Sequence, residues 1–203
     1  MPLQDSIAMI DELRTERLLL TPLSLDHVDD YFRVYGDPRT WEHLPSGRHT
    51  DRGQSARAIE RSMESRRTTG FGHCAVVLRT PVGRLPAGTF LGSAGAAALP
   101  FDAWNLGYRF APEAWGHGFA TEAARVSLTA AQAARPDTPV TARVLAGNTG
   151  SVRVLERLGL TVVWQGASSS TPTGPDDTTH LERLVFADRP LDDATLEAVI
   201  DLG

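Results

Sequence analysis

The chain has 203 residues, a net charge of −5 and 41% hydrophobic residues, a balance that fits one domain with a full core. Its apolar runs fall far short of the ~20 residues a membrane span needs, and no basic block exceeds Arg66-Arg67, so neither a bilayer nor a nucleic-acid partner is expected. Cys74 is the single cysteine, which excludes an internal disulfide and a cysteine zinc cluster, and all 20 basic residues are arginine.

Residues 1–14 read as an N-terminal extension, 15–187 as the domain and 188–203 as a C-terminal tail helix. Residues 1–20 lack a basic start followed by an apolar block, so no signal peptide is expected and the cytoplasm is the expected location. Residues 17–23 read as a strand. Asp26 to Tyr35 reads as a helix capped by Ser24, with Val28, Phe32 and Tyr35 on one face. Residues 36–49, with Trp41-Glu42-His43-Leu44-Pro45, read as an irregular loop. Residues 51–67 place Ala56, Ile59 and Met63 at helical spacing. Strands are expected at 72–79, 88–98 and 104–111, the first two joined by a hairpin through Pro81, Gly83 and Pro86. Cys74 reads as a small core hydrophobe in the first of them.

A helix over 118–134 is stopped by Pro136. Val140, Ala142 and Val144 then alternate with polar or outward positions, the period of a strand. Asn148 opens a further helix that Gly159 closes. Two last strands fit 160–166 and 179–187, with a Ser/Thr/Pro/Gly-rich hairpin tip at Ser168 to Asp177, and 191–202 completes the tail helix. Hairpin-length links between most strands imply a mixed, mainly antiparallel sheet of about seven strands. One crossover helix joins the fourth and fifth.

The most informative stretch is Trp115-Gly116-His117-Gly118-Phe119-Ala120, between a strand and a long helix. Two readings stand for it. It is a tight connection, or it is an anion cradle, in which glycines without Cβ leave main-chain N–H groups open at a helix N-terminus for a phosphate or pyrophosphate.

The strand Asn105-Leu106-Gly107-Tyr108-Arg109-Phe110-Ala111-Pro112 precedes this turn, Thr121-Glu122-Ala123-Ala124 follows it, and Asn148-Thr149-Gly150-Ser151 leads a later helix ending Leu158-Gly159-Leu160. With these, the chain resembles the GNAT superfamily of acyl-CoA-dependent N-acyltransferases, and within it the RimJ/RimL-type ribosomal-protein N-terminal acetyltransferases. Gly118 and Ala120 match the end of the superfamily's Arg/Gln-x-x-Gly-x-Gly/Ala signature, and Trp115 stands where that branch usually has tryptophan. Thr15-Glu16-Arg17-Leu18-Leu19-Leu20-Thr21-Pro22-Leu23 resembles the branch's first strand.

The resemblance implies a three-layer αβα GNAT fold, α+β in class, splayed between its fourth and fifth strands. It implies acetyl-CoA as co-substrate, no metal, an amine acceptor and a homodimer, although no seam for a dimer is visible in the sequence. Phe110 and Ala111 would offer backbone groups to pantetheine; Trp115, Gly116, His117, Gly118, Phe119 and Ala120 would hold the pyrophosphate, joined by Asn148 and Ser151. His117 stands where relatives usually have lysine. Arg125, Arg153 and Arg157 are candidates for a further phosphate, or solvated surface residues.

The expected reaction is direct attack by the amine on the thioester. Many family members carry a tyrosine where this chain has Leu155, so Ser151 is the candidate donor to the leaving sulfur, with helix capping as its alternative role. The branch commonly has glutamate where this chain has Asn105, which cannot take a proton at neutral pH. His73 and His43 are the substitute bases, each otherwise structural, and water is a third carrier. Tyr108 joins the catalytic candidates as a packed aromatic with a polar tip near the site. Trp41 and Trp104 either wall the acceptor pocket or pack in the core. A protein N-terminal α-amine, with a pKa of about 8, needs less help than a lysine amine near 10.4. Acetylation of a small amine (aminoglycoside, polyamine or amino acid) and non-catalytic binding of acyl-CoA remain the alternatives.

Overall fold

Alternating apolar positions produce eight strands, and their register brings one end of the molecule apart. The computed structural model describes residues 9–167 and 181–202. The strands are β1 (Leu13–Arg14), β2 (Leu18–Pro22), β3 (His73–Leu78), β4 (Phe90–Ala98), β5 (Trp104–Phe110), β6 (Val140–Leu145), β7 (Thr161–Gly166) and β8 (Arg183–Ala187). The helices are α1 (Val28–Tyr35), α2 (Arg52–Thr69), α3 (Phe119–Ala134), α4 (Thr149–Arg157) and α5 (Asp193–Asp201). The expected hairpin tip at Ser168 to Asp177 lies outside the described residues.

The strands lie in the order β1-β2-β3-β4-β5-β6-β8-β7. All neighbours are antiparallel except β5 and β6, which α3 links as a crossover. The eighth strand is β1, two residues long and inside the stretch read as an extension, where Leu13 and Arg14 pair with Leu20 and Leu19. The last strand in sequence, β8, sits between β6 and β7.

Helix α2 begins where Asp51 accepts a hydrogen bond from Gln54 N–H and ends on Gly70 at φ 81°. Together α1 and α2 cover one face of the sheet, burying Tyr31, Val34 and Ile59 against Leu23, Ala75 and Phe90. On the other face α3 and α4 bury Phe119, Ala123, Leu128 and Leu155 against Leu18, Val76, Leu106 and Phe186. Helix α3 is rich in alanine on its inner side, so it can lie close to the sheet.

The period of β5 matters most for function. Trp104, Leu106 and Phe110 are core residues on the α3 face, with Tyr108 packed beside them. Asn105, Gly107 and Arg109 therefore face the α1 and α2 side. Strand β5 pairs with β4 along its whole length but with β6 only at Trp104↔Val140 and Asn105↔Thr141. Beyond Asn105 the two parallel strands part, giving the splay expected between the fourth and fifth predicted strands.

Candidate active site

The gap between β5 and β6 opens into a cleft of about 1320 Å³. The loop between α1 and α2, the turn before α3 and the start of α4 all border it. Trp104 N–H donates to Pro139 and Ala111 N–H donates to Leu91. Hydrogen bonding alternates along an antiparallel strand, so the main-chain groups of Leu106, Tyr108 and Phe110 point toward the β6 side.

At one end of the cleft lies the turn 115–120. Gly116 and Gly118 adopt φ 78° and 79°, the left-handed region that disfavours residues with a Cβ. Among the described residues, the main-chain N–H groups of 116–121 donate to nothing in the protein. Six consecutive open donors at the start of a sixteen-residue helix are the donor set an anion cradle requires. A pyrophosphate fits this donor set.

Arg17 braces the turn from behind. Its guanidinium donates to the His117 carbonyl (2.9 Å) and, through Nη2 and Nε, to one oxygen of Glu122, Oε2 (2.6 and 2.8 Å), and it lies 4.7 Å over the Phe119 ring. Glu122 also accepts from Thr15 hydroxyl at 2.5 Å and from Arg17 N–H at 3.2 Å. Burial alone would raise the Glu122 pKa, yet the hydrogen bonds from Thr15 and Arg17 outweigh it and hold the carboxyl below its ordinary value. With the carbonyl of His117 drawn toward Arg17, the turn is held at its back while its donors stay open. This brace joins residues more than 100 positions apart and escaped sequence reasoning, although Arg17 and Glu122 both stand within motifs that carry the resemblance.

The flanking residues divide. Trp115 is half-exposed and its indole N–H donates to the Phe110 carbonyl at 2.9 Å. The His117 ring turns back on the Trp115 carbonyl (2.9 Å) and stacks on Phe119, so this residue offers the turn its main chain rather than its side chain. Ala111 is buried, its N–H taken by Leu91 and its carbonyl by Ala114 N–H, and it does not line the cleft. Of the pair expected to meet pantetheine, only Phe110 borders the gap, through its N–H edge.

Further in, Asn148 caps α4. Its Oδ1 accepts from Ser151 N–H (3.1 Å), which turns its Nδ2 toward His43 Nε2 at 3.1 Å. An amide nitrogen only donates, so His43 Nε2 is the acceptor and its ring is neutral. Burial, then the nearby charge of Arg109, keep the His43 pKa low, in agreement. This bond ties the α1–α2 loop to α4 across the cleft. The Tyr108 hydroxyl donates to the Ser151 carbonyl at 3.1 Å, and burial pushes its pKa well up, so it remains a donor. Ser151 hydroxyl borders the cleft with no partner among the described residues. Leu155 is buried in the core behind it. Arg157 borders the cleft; Arg125 instead donates to the Arg157 carbonyl at 2.8 Å, and Arg153 is exposed outside the lining.

The other end is made by the α1 and α2 face. Asn105, His73, Arg109 and Trp41 line it, and Asn105 Oδ1 is buried without a partner among the described residues. His73 crosses Gly107 so closely that a Cβ there would meet its Cε1 at 3.1 Å. Burial drives the His73 pKa down to about 4, leaving a neutral imidazole beside the cleft. Trp41 lies against Gly47, where any Cβ would run into the indole. Trp41 indole N–H is held by the Tyr35 carbonyl at 2.6 Å. Trp104 is not at this wall. It is fully buried on the opposite face, edge-on to Phe71, as the strand period of β5 dictates. Burial pushes the Cys74 thiol up to about 12, so it supplies no thiolate for a covalent route. Among the described residues no group of His, Cys, Asp and Glu could hold a metal ion, and no helix is long and apolar enough to cross a membrane.

The profile of the acetyltransferase (GNAT) domain matches residues 17–161. YkkB of Bacillus subtilis (strain 168) is 36% identical over 76 residues, a match spanning 36% of this chain and 44% of that protein. Among solved structures, the ribosomal α-N-protein acetyltransferase RimL in complex with coenzyme A superposes with a TM-score of 0.67 at 15% identity, over 90% of this chain and 99% of that one. Ribosomal-protein-S5-alanine acetyltransferase from Vibrio fischeri gives 0.65 at 16% identity, over 91% and 98%. At such identities the superpositions establish a shared fold.

Proposed function

The chain belongs to the GNAT acetyltransferase family, and from that premise we propose that it transfers the acetyl group of acetyl-CoA to the α-amine of a polypeptide. The pyrophosphate would rest on the open N–H groups of 116–121, and the thioester would lie in the gap beside Tyr108 and Phe110. The amine nitrogen attacks the thioester carbonyl, the N–C bond forms, the C–S bond breaks, the nitrogen gives up one proton to water, and the sulfur takes one. Ser151 hydroxyl, unengaged at the cleft wall, is the proposed donor to that sulfur. Holding both reactants in line supplies much of the acceleration.

The observation that carries the choice of acceptor is the charge of the wall. Among the described residues, the lining contains arginines 39, 109, 143, 157 and 183 and one carboxylate, Glu42. Arg39 is compensated by Asp37 and Glu113, whereas Arg109 and Arg157 form no ion pair among the described residues, and these two cations disfavour aminoglycosides and polyamines. Nor is there a carboxylate base at the Asn105 position, and the nearby His73 is a weak one, which favours an amine that is partly neutral near pH 7.5. RimL and the Vibrio fischeri enzyme share the fold and by name acetylate ribosomal-protein amines, which supports the same reading.

The test is thiol release from acetyl-CoA with three acceptor sets: peptides with free α-amines, the same peptides blocked at the N-terminus but carrying lysine, and polyamines or aminoglycosides. Turnover confined to free α-amines is the expected result. Faster turnover of polyamines would overturn it, and tight acetyl-CoA binding without thiol release from any amine would return the chain to the non-catalytic reading.

A further inference from the structure

Among the described residues Arg109 is a charge without a counter-ion, set in the wall of the cleft. It stands on β5 one residue beyond Tyr108 and on the opposite face, so it looks toward the α1–α2 loop rather than toward α3. Its guanidinium carbon lies 3.3 Å from the centroid of Trp41 and 5.5 Å from that of Tyr35. One nitrogen, Nη1, donates to the Thr40 carbonyl. Among the described residues no carboxylate pairs with it, although every arginine carries five N–H donors. Glu42, the one carboxylate in the lining among the described residues, acts on His43 as Arg109 does, in the opposite direction, but forms no ion pair with Arg109, and Asp37 and Glu113 both pair with Arg39. Burial lowers the Arg109 pKa, and its charge in turn helps to depress both His43 and His49, after their own burial. A half-buried cation with its neutral neighbours already used is costly unless a ligand completes it.

We propose that Arg109, framed by Trp41 and Tyr35, binds a carboxylate carried by the acceptor close to the amine that is acetylated. This rests on the proposed function and deepens it, because it names what the acceptor must carry besides an amine. A planar guanidinium with free donors matches a carboxylate in two parallel hydrogen bonds. The strand places this site next to Tyr108 and the splay, so the anion sits within a residue or two of the reacting amine. An acidic side chain near a peptide's N-terminus and the α-carboxylate of a free amino acid present the same chemistry.

The experiment uses the full-length protein saturated with CoA and measures acceptor binding by calorimetry. One probe pair is a pentapeptide beginning Ser-Asp against the same peptide beginning Ser-Asn; the other is serine against serinamide. In at least one pair the acid is expected to bind about tenfold tighter or more than its amide. The peptide pair responding assigns the carboxylate to a side chain, and the serine pair responding assigns it to a free amino acid. Arg109→Gln, which keeps a donor for Thr40, should level the responding pair and leave CoA affinity unchanged. Equal binding within both pairs, no binding by any probe, a preference that survives in Arg109→Gln, or a matching loss of CoA affinity would each overturn the proposal. The wild-type comparison stands even where a variant folds poorly. Thiol release separates this from the proposed function: acids that bind and are not acetylated sink the transferase reading alone, and amines acetylated with no preference for an acid sink the Arg109 site alone.

Discussion

At the turn end of the cleft the ligand-facing groups are main-chain N–H groups of residues 116–121, held in place by Arg17 and Glu122. At the acceptor end they are side chains, Arg109, Trp41, His73 and Asn105, drawn from a strand and an irregular loop. The first design would recognise a diphosphate through groups every residue but proline possesses, so only the backbone shape must be kept. The second depends on which residues are present, and any substitution changes what is recognised. In the proposed function one end would fix the class of reaction and the other would select the acceptor.

The sharpest way to break this contrast is to put a charge into the main-chain cradle. Gly118→Asp places a carboxylate against the pyrophosphate and strains a φ of 79°. CoA affinity is expected to fall about a thousandfold, near 4 kcal/mol, while the strain costs the fold only about 1–2 kcal/mol. Titration calorimetry beside a thermal melt measures both, and unchanged affinity would count against the cradle.

Acid should act first on the acceptor end. His73 holds a pKa near 4 in the folded protein against about 6.5 in an unfolded chain, so the unfolded state binds the extra proton between those values. Its contribution is complete above about pH 6.5 and is lost as the pH falls toward 4, on the order of 2 kcal/mol after allowing for partial exposure. Urea unfolding across that window should show the loss, and His73→Gln should flatten it. Glu122 behaves likewise at lower pH. Its depressed pKa gives stability that is full above about 4.3 and disappears as the pH drops through the folded value. Glu122→Gln should cost about 1–2 kcal/mol and weaken CoA binding by about tenfold, because the brace behind the turn slackens.

The smallest effect belongs to chemistry at the junction of the two ends. Ser151→Ala should lower kcat by about tenfold and leave the Kd for CoA unchanged, the scale of one lost hydrogen bond to the departing sulfur. Single-turnover thiol release measures the rate, and an equal rate would remove Ser151 from the chemistry.

The turn was legible because its signal is local: two glycines between a strand and a helix. The splay followed from the one crossover helix among hairpins. Trp104 stood open between two places because tryptophan suits a pocket wall as well as a core, and the structure puts it in the core. The period of two in β5 already settles the matter, since Trp104 and Asn105 must face opposite sides of the sheet. Arg109 was available by the same reasoning, as it shares a face with Asn105. Strand β1 was too short to show a period, and the Arg17–Glu122 pair spans a sequence distance that no pattern reading reaches.

Gly47 lines the cleft beside Trp41 and, having no Cβ, leaves room for the indole ring. A methyl group at position 47 would push the indole forward, carry the Arg109 guanidinium stacked on it, and narrow the entrance. Acceptor size is thus adjustable at one small residue of the lining, through the aromatic ring and the cation stacked upon it.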